Sequence, residues 1–215
     1  MKQRRPVVRL VLAVAALSPL VAVSGCQTSQ LGAAAIVDGQ RITVTDVQKT
    51  LTDISNEREA QGLSNDLGPD AARLEVERRV LDLVFERAAH DMGITVTATD
   101  VQQERANDTR TQDQIAQLAA QNMVSLNSLD ELYRRFTLEK RITDVVDKAN
   151  PGASTDELNN AFAAKLVATA TEMHIRINPR YGTFDPTVGQ IDALVPDYEQ
   201  LPTHGATGQN ATSAQ

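Results

Sequence analysis

Cys26 carries the only thiol in the 215-residue chain. A thiol is the side chain that accepts an alkyl group as a stable thioether, and Val23-Ser24-Gly25 ahead of it are small enough to fit a signal peptidase. Other chemistry finds little support. His90, His174 and His204 are scattered along the chain. No His-Glu-x-x-His, paired cysteine or carboxylate loop has metal-ligand spacing. No glycine-rich phosphate loop or nucleophile elbow is present. The reading is therefore of no catalytic residue, no metal and no cofactor. One apolar group remains: Leu129, Leu132, Tyr133 and Phe136 recur at three- and four-residue spacing. Such a set can line a groove for extended peptides, because apolar contact makes little directional demand. The same spacing describes an ordinary helix core, which is the commoner answer. Met123 with Leu126 and Leu129 is a second, weaker set.

The residues that would position Cys26 form an export signal. Lys2, Arg4, Arg5 and Arg9 make a basic start, and Val7 to Val23 an apolar run interrupted by Arg9, Ser18 and Pro19. The run falls short of the roughly 20 apolar residues of a comfortable membrane span. Its ending resembles the bacterial lipobox, in which the cysteine takes a diacylglyceryl group and becomes the mature N-terminus. An ordinary secretory signal, or a short anchor with an incidental cysteine, is the competing reading. The lipobox places the protein on the extracytoplasmic face of the cell membrane, held by its acyl chains.

Four of the 21 basic residues and none of the 28 acidic ones lie in residues 1–25, which leaves a net charge of −11 on the remainder. That surface argues against nucleic acid and against electrostatic adhesion to anionic lipid. No disulfide can form within the molecule, and four Phe, three Tyr and no Trp suit an aliphatic helical core.

The pattern predicts a mainly α domain over residues 33–185. It holds about five helices and a small two-stranded element joining its two ends. Residues 26–32 read as a tether and 186–215 as a flexible tail that is Thr-, Gly- and Asn-rich from Pro202. Ala33 to Thr43 reads as a strand, an Asp38-Gly39 turn and a restart. Thr45 is the expected N-cap of a helix to about Gln61 with Val47, Leu51 and Ile54 inward. A second helix spans residues 70–92 with Leu74, Leu81, Val84, Phe85, Ala88 and Met92 on its face, closed by Gly93. Asp66, Asp70, Glu75 and Glu77 read as loop and helix-start charges.

A polar helix with a thin apolar stripe of Val101, Ile115 and Leu118 follows from Thr97 or Thr99 to about Ala120. Ser128-x-x-Glu131 reads as a capping box for a helix to Ala149 that points Phe136 and Val145 inward, and Ser154-x-x-Glu157 opens the last helix. Met173, Ile175 and Ile177 alternate with His174, Arg176 and Asn178, the mark of a half-buried strand. Neither strand can stand alone, so residues 35–38 are expected to pair with residues 173–178. Beyond this strand Tyr181 is expected to pack and Arg180 to meet an acid.

Ala34-Ala35-Ile36-Val37-Asp38-Gly39-Gln40-Arg41-Ile42-Thr43, continuing into Asp46-Val47, resembles the opening of the SurA/PrsA-type periplasmic chaperones. Residues 175–185 look like the closing strand of actinobacterial lipoproteins with such a domain. The resemblance implies a helical module that holds unfolded exported polypeptides. Many members of that family also carry a parvulin-type prolyl isomerase domain. Only about 20 residues separate Pro151-Gly152 from the closing strand, so no such domain fits and no enzyme activity is implied. The competing function is an adaptor that docks one folded envelope protein.

Overall fold

The computed structural model describes residues 31–193; Cys26, the signal, His204 and the stretch from residue 194 lie outside the described residues. Strand β1 (Ala33–Val37) turns at Asp38-Gly39 into β2 (Gln40–Thr43). Asp38 and Gly39 take φ of 51° and 86°, as a two-residue turn between right-twisted strands requires. Strand β3 (Ile175–Ile177) pairs antiparallel with the other side of β1, Ala35 facing Ile177. The expected pairing of the two chain ends is thus found. The sheet has three strands with β1 in the centre, because the restart after the turn is itself a strand.

All five residues of β1 are buried, the small Ala33-Ala34-Ala35 among them. Helix α1 (Val44–Ala60) starts two residues earlier than expected: Thr43, not Thr45, is the cap, its hydroxyl accepting from the Asp46 amide at 3.0 Å. Helix α2 (Ala71–Asp91) is the spine of the domain. Its buried face is Val76, Val80, Val84 and Ala88, and Leu74 lies outside at 40% exposure. The predicted stripe was therefore rotated. The valines meet the sheet, while the larger leucines border clefts.

Glu75 and Glu77 also depart from the expected role of helix-start charges. Glu75 is buried between Arg78 and Arg79, with 2.7 Å to Arg79 Nε, and Arg79 donates onward to Thr50. Glu77 accepts the Ile191 amide at 2.8 Å.

The expected polar helix is two: α3 (Ala98–Asn107) and α4 (Gln112–Gln121). Each begins with a reciprocal capping box, Thr97 with Asp100 and Thr111 with Gln114. The second box ends any continuous helix, because Thr111 must adopt an extended backbone to cap. Helix α5 (Leu129–Ala149) follows a 3-10 turn over residues 126–128. Ser128, expected as its cap, already lies within that turn and makes no capping bond. Glu57 of α1 caps the 3-10 turn that precedes α5. Its carboxylate accepts the Leu126 amide at 2.9 Å and the Ser125 hydroxyl at 3.1 Å. Helix α6 (Thr155–Glu172) has its expected cap at Ser154.

The ordered chain runs past Asp185. Strands β4 (Thr183–Asp185) and β5 (Gln190–Asp192) form a hairpin whose Ile191 is fully buried. Arg73 of α2 donates to the Ile191 carbonyl at 2.8 Å, so one residue of β5 is bonded through both backbone groups. Tyr181 packs as expected, but Arg180 lies over its ring at 5.2 Å and makes no ion pair among the described residues. Asn178 bonds back to the Ala33 carbonyl at 2.9 Å. One core cluster gathers β1, α1 and the first half of α2; a second gathers the end of α2 with α3, α4 and α5.

Candidate functional site

Helix α4 reaches α5 through a groove of about 370 Å³, and all four apolar residues singled out from the sequence line it. They do not contribute alike. Leu129 and Tyr133 are buried and support the wall, Leu132 is half-buried, and Phe136 is 44% exposed. Tyr133 and Phe136 meet edge to face with ring centroids 6.5 Å apart, an arrangement that holds the Phe136 ring while leaving one face open. Phe136 therefore departs from the inward position expected of it, as does Val145 at 36% exposure. On a helix packed by α2, α3 and α6, the sector between α4 and the solvent has no covering element among the described residues.

The opposite wall comes from Ile115, Leu118 and Ala119 of α4, with Val124 at one end. Leu118 is 37% exposed. The sequence offered Ile115 and Leu118 as a thin stripe, and their site role was missed because that stripe was laid along one long helix. With the break at residues 108–111 the short α4 turns its apolar side towards α5.

Val124 and Leu132 connect this groove to two further clefts. One, of about 340 Å³, is lined by Leu51, Leu67, Leu74, Leu81 and Met123. Met123, of the second candidate set, takes a positive φ of 51° there, whereas Leu126 is exposed at 39%. The other, of about 280 Å³, lies between β2 and α5 over the charged face of α2.

Charges fix the walls. Tyr133 donates its hydroxyl to Asp108 at 2.7 Å, and Arg110 holds the same carboxylate at 2.8 and 2.5 Å. The Arg110 guanidinium, then the Tyr133 hydroxyl, keep the Asp108 carboxyl far below the usual range, and desolvation with the same Asp108 bond raises Tyr133. Arg134 of α5 grips Glu86 of α2 and the Val96 carbonyl, the latter at 2.8 Å. Arg141 reaches Asp100 at 2.5 Å. Backbone and hydroxyl donation from Thr97, together with Arg141, bring Asp100 down to about 2.

Asp82 behaves the other way. It lies 2.8 Å from Arg135, yet burial outweighs that cation and pushes its carboxyl up to about 6. Both side chains are partly covered between α2 and α5, and Arg135 lines both of the further clefts.

These features define a small helical domain, closed by a sheet made from its two ends, with an open apolar groove between α4 and α5. A family model described as SurA-like N-terminal domain matches residues 1–125, and the chain belongs to that family. The match ends where α5 is about to begin, so it covers the hairpin, α1 to α4 and one wall of the groove. Neither a curated protein nor a solved structure matches the chain.

Proposed function

We propose that this protein is a membrane-anchored, extracytoplasmic chaperone-like module that holds unfolded or extended segments of exported proteins, without isomerase activity. The observation that carries the reading is the open apolar groove between α4 and α5, with Leu118 and Phe136 exposed on its two lips. A folded domain does not gain by presenting a leucine and a phenylalanine side by side to water unless something covers them. An unfolded segment offers apolar side chains in no fixed order, and a groove of aliphatic and aromatic groups accepts them without directional demands. Family membership supports the same class of guest.

The lipid attachment is part of the proposal, through the Cys26 thiol and the signal-like residues before it. The acidic balance of the chain limits self-association and leaves the acyl chains as the membrane link.

The test is suppression of aggregation of an unfolded exported protein by the intact chain at stoichiometric amounts, beside a Phe136→Ser form. Protection that weakens with the substitution supports the reading, and an absence of protection removes it. Envelope cross-linking with the native chain and a Cys26→Ala form separates the two functions under consideration. Many unrelated unfolded chains favour a holdase; one dominant folded protein favours an adaptor.

A further inference from the structure

Among the described residues the hairpin leaves one side of β2 without a neighbour, and that side lines a cleft. In the order β2-β1-β3, β2 is an edge. The register fixes which of its backbone groups are free. Val37 and Gln40 close the two-residue turn as a hydrogen-bonded pair, so the next pair, Ile36 and Arg41, points away from the shared ladder. On β1 the alternation is borne out from the far side, where the Ala34 carbonyl accepts the Asn178 amide at 2.9 Å. The Arg41 N–H and C=O therefore face outward from the sheet.

The cleft along this edge has Gln40, Arg41 and Ile42 on one wall and Glu131, Leu132 and Arg135 of α5 on the other. Its volume is about 280 Å³. Its floor is α2, whose Arg78 and Arg79 share Glu75, while Arg135 of α5 meets Asp82 of α2. Arg41 gives its guanidinium to the Leu31 carbonyl. Two lining carboxylates, Asp46 and Glu131, are exposed and have no ion pair among the described residues. The ionisable side chains of the lining balance, four arginines against four carboxylates, and Asp46 and Glu131 are the carboxylates left without a cation among the described residues.

We infer that the outer edge of β2 takes an extended polypeptide segment bearing basic side chains as an added strand, between Arg41 and α5. The added backbone bonds to the Arg41 amide and carbonyl, at the inter-strand spacing of about 4.8 Å. Its cations meet Asp46 and Glu131. Main-chain pairing reads no sequence, so the site complements an apolar groove that is equally undemanding. Val124 and Leu132 line both, which lets one extended chain occupy edge and groove together. The nature of the guest rests on the client-holding function; the edge and its cleft do not.

The test uses the intact chain and a synthetic peptide of about ten residues, the upper length of natural strands, alternating lysine and valine. Arg41→Pro removes one outward N–H at an edge position, where proline is compatible with the ladder. Arg41→Ala removes the same side chain and keeps the N–H. Circular dichroism and melting of both variants check that the hairpin is retained.

The expected result is binding to the native chain and to Arg41→Ala, about tenfold weaker with Arg41→Pro. Loss of affinity on replacing the peptide's lysines by glutamates, or on methylating alternate peptide nitrogens, is also expected. Equal binding by the two variants, or tolerance of the methylated peptide, overturns the edge site. If the native chain holds an unfolded protein but not the peptide, the edge site falls and the chaperone reading stands. If the peptide binds in an Arg41-amide-dependent way without any protection of an unfolded protein, the edge site stands and that reading falls.

Discussion

The Tyr133 hydroxyl donates to the Asp108 carboxylate across 2.7 Å and so fastens the second turn of α5 to the turn that separates α3 from α4. Arg110 completes the tie from the other side of the carboxylate. This one turn sets the angle at which α4 meets α5, and with it the width of the groove. Tyr133→Phe keeps the ring against Phe136 and removes only the bond. A fall of a few degrees in melting temperature is expected, with faster amide exchange in residues 108–115 than in α2. Unchanged exchange there would assign the groove's width to other contacts.

Exposure separates function from stability within the apolar set. Phe136→Ser touches a side chain that is 44% exposed and is expected to cost under about 1 kcal/mol of folding stability while weakening capture of unfolded protein. Leu129→Ala, at a 6% exposed position, is expected to cost about 2–5 kcal/mol. Urea unfolding of both variants beside the aggregation assay checks the contrast.

Gly182 stands where no other residue fits. Its φ is 117°, and a β-carbon there would lie 1.9 Å from the Asp192 carbonyl oxygen. Gly182→Ala has to move β5 off α2, releasing the bonds from Arg73 and Glu77 to Ile191. Backbone strain alone is worth roughly 1–3 kcal/mol, and the loss of Ile191 packing adds to it. Denaturant unfolding of Gly182→Ala reads the sum.

The carboxylates pull the pH dependence in two directions. Asp82, raised to about 6 in the fold, binds its proton more tightly folded than unfolded, so its contribution to stability is full below about pH 4. That contribution is lost as pH rises to about 6, on the order of 3 kcal/mol for a shift of this size. Asp100 and Asp108 are depressed, and theirs is present above about pH 4 and lost as pH falls. In Asp82→Asn the decline between about pH 4 and 6 should flatten, while the loss below about pH 4 remains. Urea midpoints from pH 3 to 7 test this, and an unaltered slope would remove Asp82 from the account.

Local signals in the sequence were read well where they are complete within a few residues. The Asp38-Gly39 turn, the Ser154 cap and the alternation at residues 173–178 each specify their geometry without help from afar, and pairing the chain ends followed from them. The break at residues 108–111 was equally legible in Thr111-x-x-Gln114, yet the surrounding polar run masked it. What could not be read is what depends on distant partners. Glu57 holds, from more than 60 residues away, a 3-10 turn that includes Ser128, so Ser128 looked like the natural cap of α5. The rotation of α2 is set by valines meeting an alanine-rich strand, whereas hydrophobicity alone favours the leucines. Asp185 looked like an edge because β4 and β5 are three residues each and gain their order from Arg73 and Glu77.

The placement of β1 at the centre of its sheet has a temporal side. The Ala33 carbonyl waits for Asn178, a partner 145 positions away. Synthesised from its N-terminus, the chain presents β1 and β2 first, and β1 keeps one edge bare until almost the whole domain has followed. The helices, whose contacts are mostly local, gather early; the sheet closes last and carries the loop-closure cost of the full domain. Until β3 arrives, this protein is itself an unfinished polypeptide with an unpaired strand, open to the kind of capture that its own β2 edge would offer another chain.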